Sequence, residues 1–480
     1  MPRDTARTVF KTGIASDEVF KVESHGIDQI PLADRHGHPS ELFWVWLGSN
    51  IVYTYVIFGV LLVAFGLPFW GALVAAVAGN LFYIMVGIGS TSGPPAGAPT
   101  LVVARSIFGR RGNLPPSLLQ WFTGIGFEAI NAVIGTLALL QLATIIGIPA
   151  TPAVKALCLA LLIVVTLAVA AWGHATLVVA QRIFSILLGA ATIVVGVVVL
   201  TKAHLGIHPA LGVPTLGGAW LLAIFVVATG PISYMGVTAD YTRYMAPEVS
   251  RRKIVLWTAL GGFIPAFVLT AVGAAAATVT NMSDPVAGLI KIIPTWLAVI
   301  YVLLIVGGTL TNNFINLYSS GLELQVLGVR VARSKTIFID AALTSAAAAY
   351  ALFVSNFTAS LLNLLSLMIL WIGPWSAIYL INMLLKKNKY NIGALYQERG
   401  GSYWYRNGWN IAGLIALAIG VMSAAMFANA PLYKGPFVHL IGEGDASVFV
   451  GMLVGGLVYY GLALVRHRWL EHAPSHAAGI

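Results

Sequence analysis

Cysteine is nearly absent from this 480-residue chain, since Cys158 is the only one. A single cysteine excludes a disulfide framework, and it excludes the paired CxxC motifs of structural zinc sites. The common catalytic motifs are missing as well: the chain has no HExxH, no GxSxG and no phosphate-binding P-loop. We therefore expect no enzyme, no cofactor and no metal other than a coupling sodium ion.

Charged residues are also scarce. Charged residues make up 9% of the chain and hydrophobic residues 58%, and the mean hydropathy is +0.87. Soluble domains carry about 25% charged residues, so a water-facing surface is excluded for most of this chain. The partner that such a surface fits is the lipid bilayer.

Twelve apolar stretches along the chain are each long enough to cross the hydrocarbon as a helix. Helices are predicted because lipid offers no partner to unpaired backbone groups, and because the stretches lack strand alternation. We name them spans 1 to 12 in chain order: 43–66, 69–90, 117–146, 154–172, 183–201, 218–238, 254–280, 296–322, 336–355, 358–384, 410–428 and 446–465. One membrane domain, 41–466, is expected between a tail at 1–40 and a tail at 467–480.

Basic residues are distributed unevenly over the predicted loops. With twelve spans and a cytoplasmic N-terminus, 23 of the 27 Lys and Arg residues fall on the cytoplasmic side and 4 on the outer side. Positive charge follows the cytoplasmic side of a membrane protein. We therefore expect a multi-pass protein of the cell (plasma or inner) membrane with both termini inside. The net charge of +10 then reflects topology, and no nucleic-acid partner is expected.

Two spans are interrupted in equivalent places. Span 1 contains Gly48, Ser49 and Asn50, and span 6 contains the sequence TGPIS at 229–233. Proline removes a helical N–H and clashes with the preceding turn, so a break is predicted at Pro231. Broken helices five spans apart indicate an inverted-repeat transporter. Glycine and proline are also common in membrane helices generally, so this feature alone leaves packing open.

Span 3 carries a carboxyl group near its middle. Of the 17 acidic residues, we place 16 in tails, loops or span ends, and Glu128 is the exception. Phe127 and Asn131 are four residues apart and Glu128 and Asn131 three apart, so the three are predicted to share a helix face. A ring beside an amide and a carboxyl suits a flat heterocycle. The alternative is a structural Glu128 that bonds a neighbouring helix.

Span 8 carries a polar stripe on one predicted face. Thr309, Asn312, Asn313 and Asn316 follow spacings of three and four. Asparagine offers both a donor and an acceptor, so it can read the edge of a base or lend an oxygen to a cation. The alternative role is interhelical hydrogen bonding.

Ser233 and Tyr234 follow the predicted break in span 6. Ser49, Asn50 and Tyr53 lie at the matching depth in span 1. An unwound backbone at these points would expose carbonyls to a ligand or ion. The residues alone leave site and packing equally open.

Four segments resemble the nucleobase:cation symporter-1 family, in its cytosine/purine permease branch. They are GIDQIPLADR before span 1, GPPAGAPTLVVARSIFGRRGNLPP after span 2, GPISYMGVTADYTRYMAP at span 6 and TNNFINLYSSGLELQ in span 8. The resemblance implies an all-helical five-plus-five inverted repeat with spans 1 and 6 discontinuous and two extra C-terminal helices. It also implies a substrate site near the midplane between spans 1, 3, 6 and 8.

The resemblance assigns roles to individual residues. Phe127 stands where relatives stack the substrate ring, Asn131 where one has a hydrogen-bonding glutamine, and Ser233 where a serine contacts substrate. Pro231 stands where a second stacking aromatic is often found, so the stacking is either one-sided or completed by Tyr234 or Tyr53. The substrate-site set is completed by the polar residues next to these in spans 3 and 8: Glu128, Asn312, Asn313 and Asn316.

The coupling ion is left open between sodium and a proton. Sodium-coupled relatives have two adjacent hydroxyls in span 8 that join span 1 carbonyls in an oxygen cage. Here the pair reads Thr311-Asn312, so Thr311 with Gly48, Ser49 and Asn50 forms the candidate ion site. A membrane-buried carboxyl such as Glu128 favours a proton instead.

The sequence thus predicts a secondary active importer of a nucleobase or a related planar heterocycle. An allantoin, hydantoin or vitamin-like pyrimidine permease is the alternative within the class. A membrane-embedded enzyme that uses Glu128 as acid or base is the alternative outside it. The expected partners are a small-molecule substrate and the bilayer, with no obligate protein partner.

Overall fold

The structure is a computed structural model that describes residues 26–170, 174–329 and 333–472. The regular secondary structure of its described part is helical, and only two isolated β-bridges occur there. Each predicted span folds into helix, so the span names are kept for these helices. Their bounds are Glu41–Asn50 with Thr54–Ala64, Phe69–Asn80 with Tyr83–Ser90, Leu114–Ile145, Pro152–Ala170, His174–Lys202, Leu216–Ser233, Arg251–Ala277, Thr295–Val326, Arg333–Ala349, Phe357–Leu385, Ile411–Ala425 and Ser447–His472.

Most of these helices have the length and apolarity of a membrane span. Nine helices among the described residues qualify, and the two halves of span 1 qualify together as a tenth. Spans 4 and 11 are apolar but shorter, over 152–168 and 411–425. The count of twelve crossings therefore stays a prediction.

Span 1 is broken, as predicted. Its halves meet at an angle of 60° across Ile51–Tyr53, just after Gly48, Ser49 and Asn50, which are still helical. The Asn50 side chain donates to the Trp46 carbonyl at 2.7 Å, which holds the last turn in helical form. The break therefore begins one residue beyond the predicted positions.

The predicted break of span 6 at Pro231 is wrong in position. The α-helix continues through Pro231 to Ser233 and then narrows to a 3-10 turn at Tyr234–Val237. The Thr229 hydroxyl donates to the Val226 carbonyl at 2.5 Å, and the Ser233 hydroxyl to the Gly230 carbonyl at 2.6 Å. Neither hydroxyl bonds the Val227 carbonyl, which is the one that loses its helical donor at Pro231. The helical conformation nevertheless changes only about one turn after the proline.

Two boundaries also differ from the sequence predictions. Span 5 begins at His174 and span 12 runs to His472, so the predicted C-terminal tail at 467–480 is helical in its first six residues. The described part of the N-terminal tail packs under the helices. The Ile30 N–H donates to the Gly97 carbonyl at 2.9 Å, and the Arg35 guanidinium to the Pro94 carbonyl at 2.6 Å.

The packing brings spans 3 and 8 together along their length, and span 1 against span 7. Spans 10, 11 and 12 pack on one another, and span 10 also packs against spans 3 and 6. Gly59 of span 1 and Gly273 of span 7 allow backbone contact between those two helices. A Cβ at either position would lie 1.9 Å from a carbonyl oxygen of the other helix. Small residues of this kind let membrane helices approach closely.

Candidate functional site

A cavity of about 80 Å³ lies where the break of span 1 and the end of the span 6 α-helix face spans 3 and 8. One water needs about 10–15 Å³ by the same kind of measure, so the space admits a small solute. Its lining combines aromatic rings with hydroxyl, amide and carboxyl groups. The described lining residues are Ser49, Val52, Thr54, Tyr55, Phe58, Gln120, Thr123, Gly124, Phe127, Asn131, Gly230, Ser233, Tyr234, Val237, Tyr241, Asn312, Asn316, Ser319 and Glu323.

Spans 3 and 8 line the cavity with one face each. Span 3 contributes 120, 123, 124, 127 and 131, and span 8 contributes 312, 316, 319 and 323. Both sets follow the three-and-four spacing of a single helix face. Because the chain crosses in opposite directions in the two spans, Asn131 meets Asn312 at one end and Gln120 meets Glu323 at the other. Eleven residues of helix separate these ends, which is about 16 Å. We call them the asparagine end and the carboxyl end.

The asparagine end is a connected hydrogen-bond network. The Asn131 amide donates to the side-chain oxygen of Asn312 at 2.7 Å and of Asn313 at 3.0 Å. Asn316 also donates to the Asn312 oxygen, at 3.5 Å. The predicted stripe of span 8 is therefore bonded to span 3. Asn131, Asn312 and Asn316 still present groups to the cavity.

Glu128 and Asn313 are not among the described residues that line the cavity. The Glu128 carboxyl accepts a hydrogen bond from the Thr344 hydroxyl of span 9 at 2.8 Å, and Asn313 donates to the Glu128 carbonyl at 3.1 Å. Adjacent helical residues point about 100° apart, so Phe127 and Asn312 face the cavity while the next residue of each span faces another helix. The prediction that Phe127 and Glu128 share a helix face is therefore corrected: Phe127 faces the cavity, and Glu128 faces span 9.

The carboxyl that lines the cavity is Glu323, which the sequence analysis placed at a span end. Span 8 continues as helix to Val326, and Glu323 is 4% exposed. The Gln120 side chain of span 3 lies beside its carboxyl, and Ser319 lies beside Tyr241. The signal in the sequence was the spacing, since Glu323 lies eleven residues after Asn312 on the same face.

Spans 1 and 6 form the aromatic wall of the cavity. The Tyr55 hydroxyl donates to the Asn50 side-chain oxygen at 2.8 Å, and the Tyr83 hydroxyl bonds the same oxygen. Tyr234 donates to the Ser49 carbonyl at 3.0 Å. The Trp46 ring meets the Tyr234 ring edge-on, with centroids 5.1 Å apart. The break of span 1 is therefore tied to span 6 and span 2 by side chains.

The two tyrosines named for the second stacking position lie in different places. Tyr234 lines the cavity, whereas Tyr53 is 1% exposed and donates to the Pro285 carbonyl at 2.9 Å. Tyr55 also lines the cavity, a position that sequence reasoning missed. Ser233 lines it too, with its hydroxyl donating to the helix backbone.

The predicted ion-site residues do not converge on one point through the described contacts. The Gly48 carbonyl accepts from Ser185 at 3.0 Å, and the Asn50 amide is used within span 1. The Thr311 hydroxyl donates to the Gly308 carbonyl at 3.1 Å. Of the four predicted ion-site residues, Ser49 is the one that lines the cavity in the described part of the chain. Within the described ranges, no group of three or more His, Cys, Asp or Glu side chains is arranged to hold a metal.

A cavity between helices, placed at the break of a span, is typical of membrane transporters with an inverted-repeat fold. Two solved structures of the transporter Mhp1 show the same fold. One is a closed conformation with bromovinylhydantoin bound, which aligns with a TM-score of 0.72 at 18% identity over 92% of this chain and 95% of that one. The other faces inward and aligns with a TM-score of 0.74 at 18% identity over 95% of each chain.

Sequence comparison defines the family. The family model described as "Permease for cytosine/purines, uracil, thiamine, allantoin" matches residues 29–451, and the chain belongs to this family. The candidate purine-cytosine permease YxlA of Bacillus subtilis (strain 168) is 26% identical over 92% of this chain and 96% of its own. The purine-cytosine permease fcyB of Emericella nidulans is 26% identical over 92% of this chain and 88% of its own.

These comparisons confirm the predicted family and the all-helical membrane fold class. They also place the chain among permeases, which agrees with the expectation of a transporter.

Proposed function

We propose that this protein imports a nucleobase or a related planar heterocycle across the cell membrane, driven by a proton or sodium gradient. The observation that carries the proposal is the cavity between spans 1, 3, 6 and 8. It combines a half-buried phenylalanine, two tyrosines and a set of amide and carboxyl groups. Small-solute sites of this kind pair apolar walls with a few polar groups that fix orientation.

Phe127 is proposed to stack the ring of the substrate. It lies on span 3 four residues from Asn131 and seven from Gln120, so polar groups flank it on both sides. Tyr55 and Tyr234 face it from the opposite wall and can complete the enclosure. Stacking of a base on an aromatic side chain contributes about 1–3 kcal/mol.

Polar groups at the asparagine end are proposed to orient the ring. Asn131, Asn312 and Asn316 reach the cavity, and Ser233 reaches it from span 6. Asn313 is proposed to support them, because it accepts from Asn131 while its own amide is anchored on the Glu128 carbonyl.

We propose that the coupling ion is either sodium or a proton. For sodium, the candidate oxygens are the carbonyls of Gly48 and Ser49, the Asn50 side chain and the Thr311 hydroxyl, which would have to reorient to meet. For a proton, Glu128 is the candidate, since a carboxyl buried between helices and bonded to Thr344 can change protonation without leaving its place. We favour the proton because Glu128 needs no such rearrangement.

The family description also includes uracil, thiamine and allantoin, so the permease alternatives within the class remain part of the proposal. The test is uptake into proteoliposomes of labelled cytosine, uracil, adenine, hypoxanthine, allantoin and thiamine. Each solute is offered with an inward proton gradient and, separately, an inward sodium gradient. Accumulation of one solute under one gradient supports the proposal. The absence of accumulation with folded, reconstituted protein would contradict it.

The proton assignment has its own test. Glu128→Gln keeps the hydrogen bond to Thr344 but cannot release a proton. We expect it to abolish accumulation driven by a proton gradient while exchange of labelled for unlabelled substrate continues. Proton-driven accumulation that persists in Glu128→Gln would contradict the assignment of the coupling proton to Glu128 and would place it on another group.

A further inference from the structure

A second cavity, of about 1020 Å³, lies between spans 2, 7 and 10 and shares no described lining residue with the cavity between spans 1, 3, 6 and 8. The second half of span 2 packs against span 7 on one side and span 10 on the other, so it forms the floor. We call this cavity the span 2 groove. Its described lining residues are Asn80, Leu81, Tyr83, Ile84, Ile88, Thr91, Arg251, Arg252, Val255, Leu256, Ala259, Leu260, Phe263, Met383, Leu384, Lys387 and Asn388.

The floor of the groove is closed by direct contact between helices. A Cβ at Gly87 would lie 2.8 Å from the Val255 carbonyl oxygen, so spans 2 and 7 meet there without a gap. On the other side, the Thr91 hydroxyl of span 2 bonds the Met383 sulfur of span 10 at 3.8 Å. The groove is therefore a furrow on the surface of the bundle and not a passage through it.

The walls of the groove are apolar and open to the side. Ile84 is 45% exposed, Leu256 52% and Leu384 66%. Along span 7 the lining extends over eleven residues, from Arg252 to Phe263, which is about 16 Å of helix. Half of the hydrocarbon core of a bilayer is about 15 Å thick. The groove therefore has the depth of one leaflet, and it suits an acyl chain that lies along the helices.

One end of the groove is positively charged. Arg251 and Arg252 line it at the start of span 7, and Lys387 lines it just after the end of span 10. The described lining contains no carboxyl group, and none of the three cations forms an ion pair with another described residue. Three such cations above an apolar furrow complement a ligand with an anionic head and an apolar tail. Basic pockets between membrane helices on the cytoplasmic side bind anionic lipid head groups.

The three cations occupy positions that backbone preferences do not favour. Lys387 has a φ of 51°, in the left-handed region that glycine adopts most readily. The Asn388 side chain holds this turn by donating to the Thr91 carbonyl at 3.2 Å. Arg251 and Arg252 lie in the first turn of span 7, where positive charge opposes the helix dipole. An anionic group bound between them would offset that repulsion.

We propose that the span 2 groove binds an anionic phospholipid of the cytoplasmic leaflet. Its phosphate would lie at Arg251, Arg252 and Lys387, and one acyl chain would lie along spans 2 and 7. The predicted topology, with both termini inside, puts this end of the groove on the cytoplasmic side. A zwitterionic lipid has the same chains, but it would bring a cationic choline group to the three cations. The groove therefore selects lipids by the charge of the headgroup, whichever solute the protein transports.

The experiment measures lipid binding to the purified full-length protein in detergent by native mass spectrometry, which resolves each bound lipid. The probes are dioleoylphosphatidylglycerol and dioleoylphosphatidylcholine, which have identical chains and differ in headgroup charge. Each Lys or Arg near the membrane surface strengthens the attraction of an anionic lipid roughly fivefold. Because the contributions of the three cations multiply, we expect one phosphatidylglycerol to bind at least about twentyfold more tightly than phosphatidylcholine.

The main variant combines Arg252→Gln with Lys387→Gly, since glycine accepts the left-handed backbone at 387. One cation remains, so the preference should fall to about fivefold or less. The charge-matched control combines Lys389→Gln with Arg399→Gln, which removes two cations that are not among the described lining residues. The control should keep the wild-type preference. If the main variant is not recovered as folded protein, Lys387→Gly alone should lower the preference about fivefold.

Two further measurements test whether the acyl chain lies in the groove. Ala259→Trp fills the groove beside span 2 without a change of charge, so the tightly bound phosphatidylglycerol should be lost. Glycerol 3-phosphate, which carries the phosphate without the chains, should not displace the lipid from the wild-type protein.

Several results would overturn the proposal. Equal binding of the two lipids to the wild-type protein would do so, as would a preference that survives in the main variant or falls as far in the charge-matched control. Displacement by glycerol 3-phosphate would assign the three cations to a free phosphate compound. Tight binding that persists in Ala259→Trp would place the acyl chain outside the groove.

Discussion

Gly59→Ala tests the contact between spans 1 and 7 that holds the broken helix in place. The added Cβ would lie 1.9 Å from the Thr270 carbonyl oxygen and 2.6 Å from the Ala274 nitrogen, whereas ordinary contact begins at 3.4 Å. The two helices would have to separate by about 1.5 Å there, and a gap of even 0.5–1 Å loses a quarter to a half of the dispersion energy. Because the obstacle is backbone, no rotamer change relieves it.

The expected cost is about 1–3 kcal/mol of overpacking, against a gain of about 0.5–1 kcal/mol from replacing glycine in a helix. Destabilisation therefore wins. The assay is the apparent melting temperature in detergent, which should fall by a few degrees. Gly461→Ala is the control, since a Cβ there meets nothing within 4 Å, and it should be neutral or slightly stabilising. Equal melting temperatures for the two variants would mean that spans 1 and 7 are not in backbone contact at Gly59.

Three further predictions concern the site and its supports. Phe127→Ala should weaken substrate binding about tenfold to a hundredfold through lost stacking, measured as a dissociation constant, and Phe127→Trp should retain affinity. Tyr55→Phe removes a buried hydroxyl bonded to Asn50 and should cost about 1–2 kcal/mol in thermal stability. Asp240→Ala leaves the Thr100 N–H and hydroxyl without the carboxyl that accepts both at 2.8 Å, and should cost about 1–3 kcal/mol.

Each of these has a result that would count against it. Unchanged affinity in Phe127→Ala would move the ring elsewhere in the cavity. A Tyr55→Phe protein as stable as the wild type would mean that Tyr83 alone satisfies Asn50. For Asp240, the conservative Asp240→Asn should recover part of the loss, and failure to do so would indicate that charge, not hydrogen bonding, is what Thr100 requires.

The sequence predicted the fold well because the bilayer imposes a strong constraint. Apolar runs of span length must be helical in lipid, so every predicted span folds as helix. Helix ends were less predictable, because a helix can continue through polar residues after its apolar run has ended. Span 8 illustrates this: its apolar window ends near Leu322, but the helix continues to Val326.

That boundary error explains the main omission at the site. Glu323 looked like a loop-proximal residue, although its spacing from Asn312 placed it on the cavity face. Glu128 was singled out for its isolation in span 3, but isolation does not determine direction. A single residue step turns a side chain by about 100°, so Phe127 lines the cavity and Glu128 faces Thr344 of span 9.

The break in span 6 shows a second limit. Pro231 signals a lost N–H, but the sequence does not show which neighbour replaces the bond. The carbonyl that loses its donor is that of Val227, and the α-helix nevertheless continues through Pro231 to Ser233. Tertiary partners that decide such points, among them Tyr55 over Gly230, are distant in the chain.

In the proposed function, the protein concentrates an unaltered heterocycle across a membrane. To test this, the labelled solute that gives the highest uptake is added outside proteoliposomes under an imposed ion gradient. Its internal concentration is then measured. The released label is then identified by chromatography. For a secondary active importer we expect accumulation above the external concentration, collapse when an ionophore dissipates the gradient, and recovery of chemically unchanged solute. Uptake that only equilibrates, or a recovered label that is chemically altered, would contradict it.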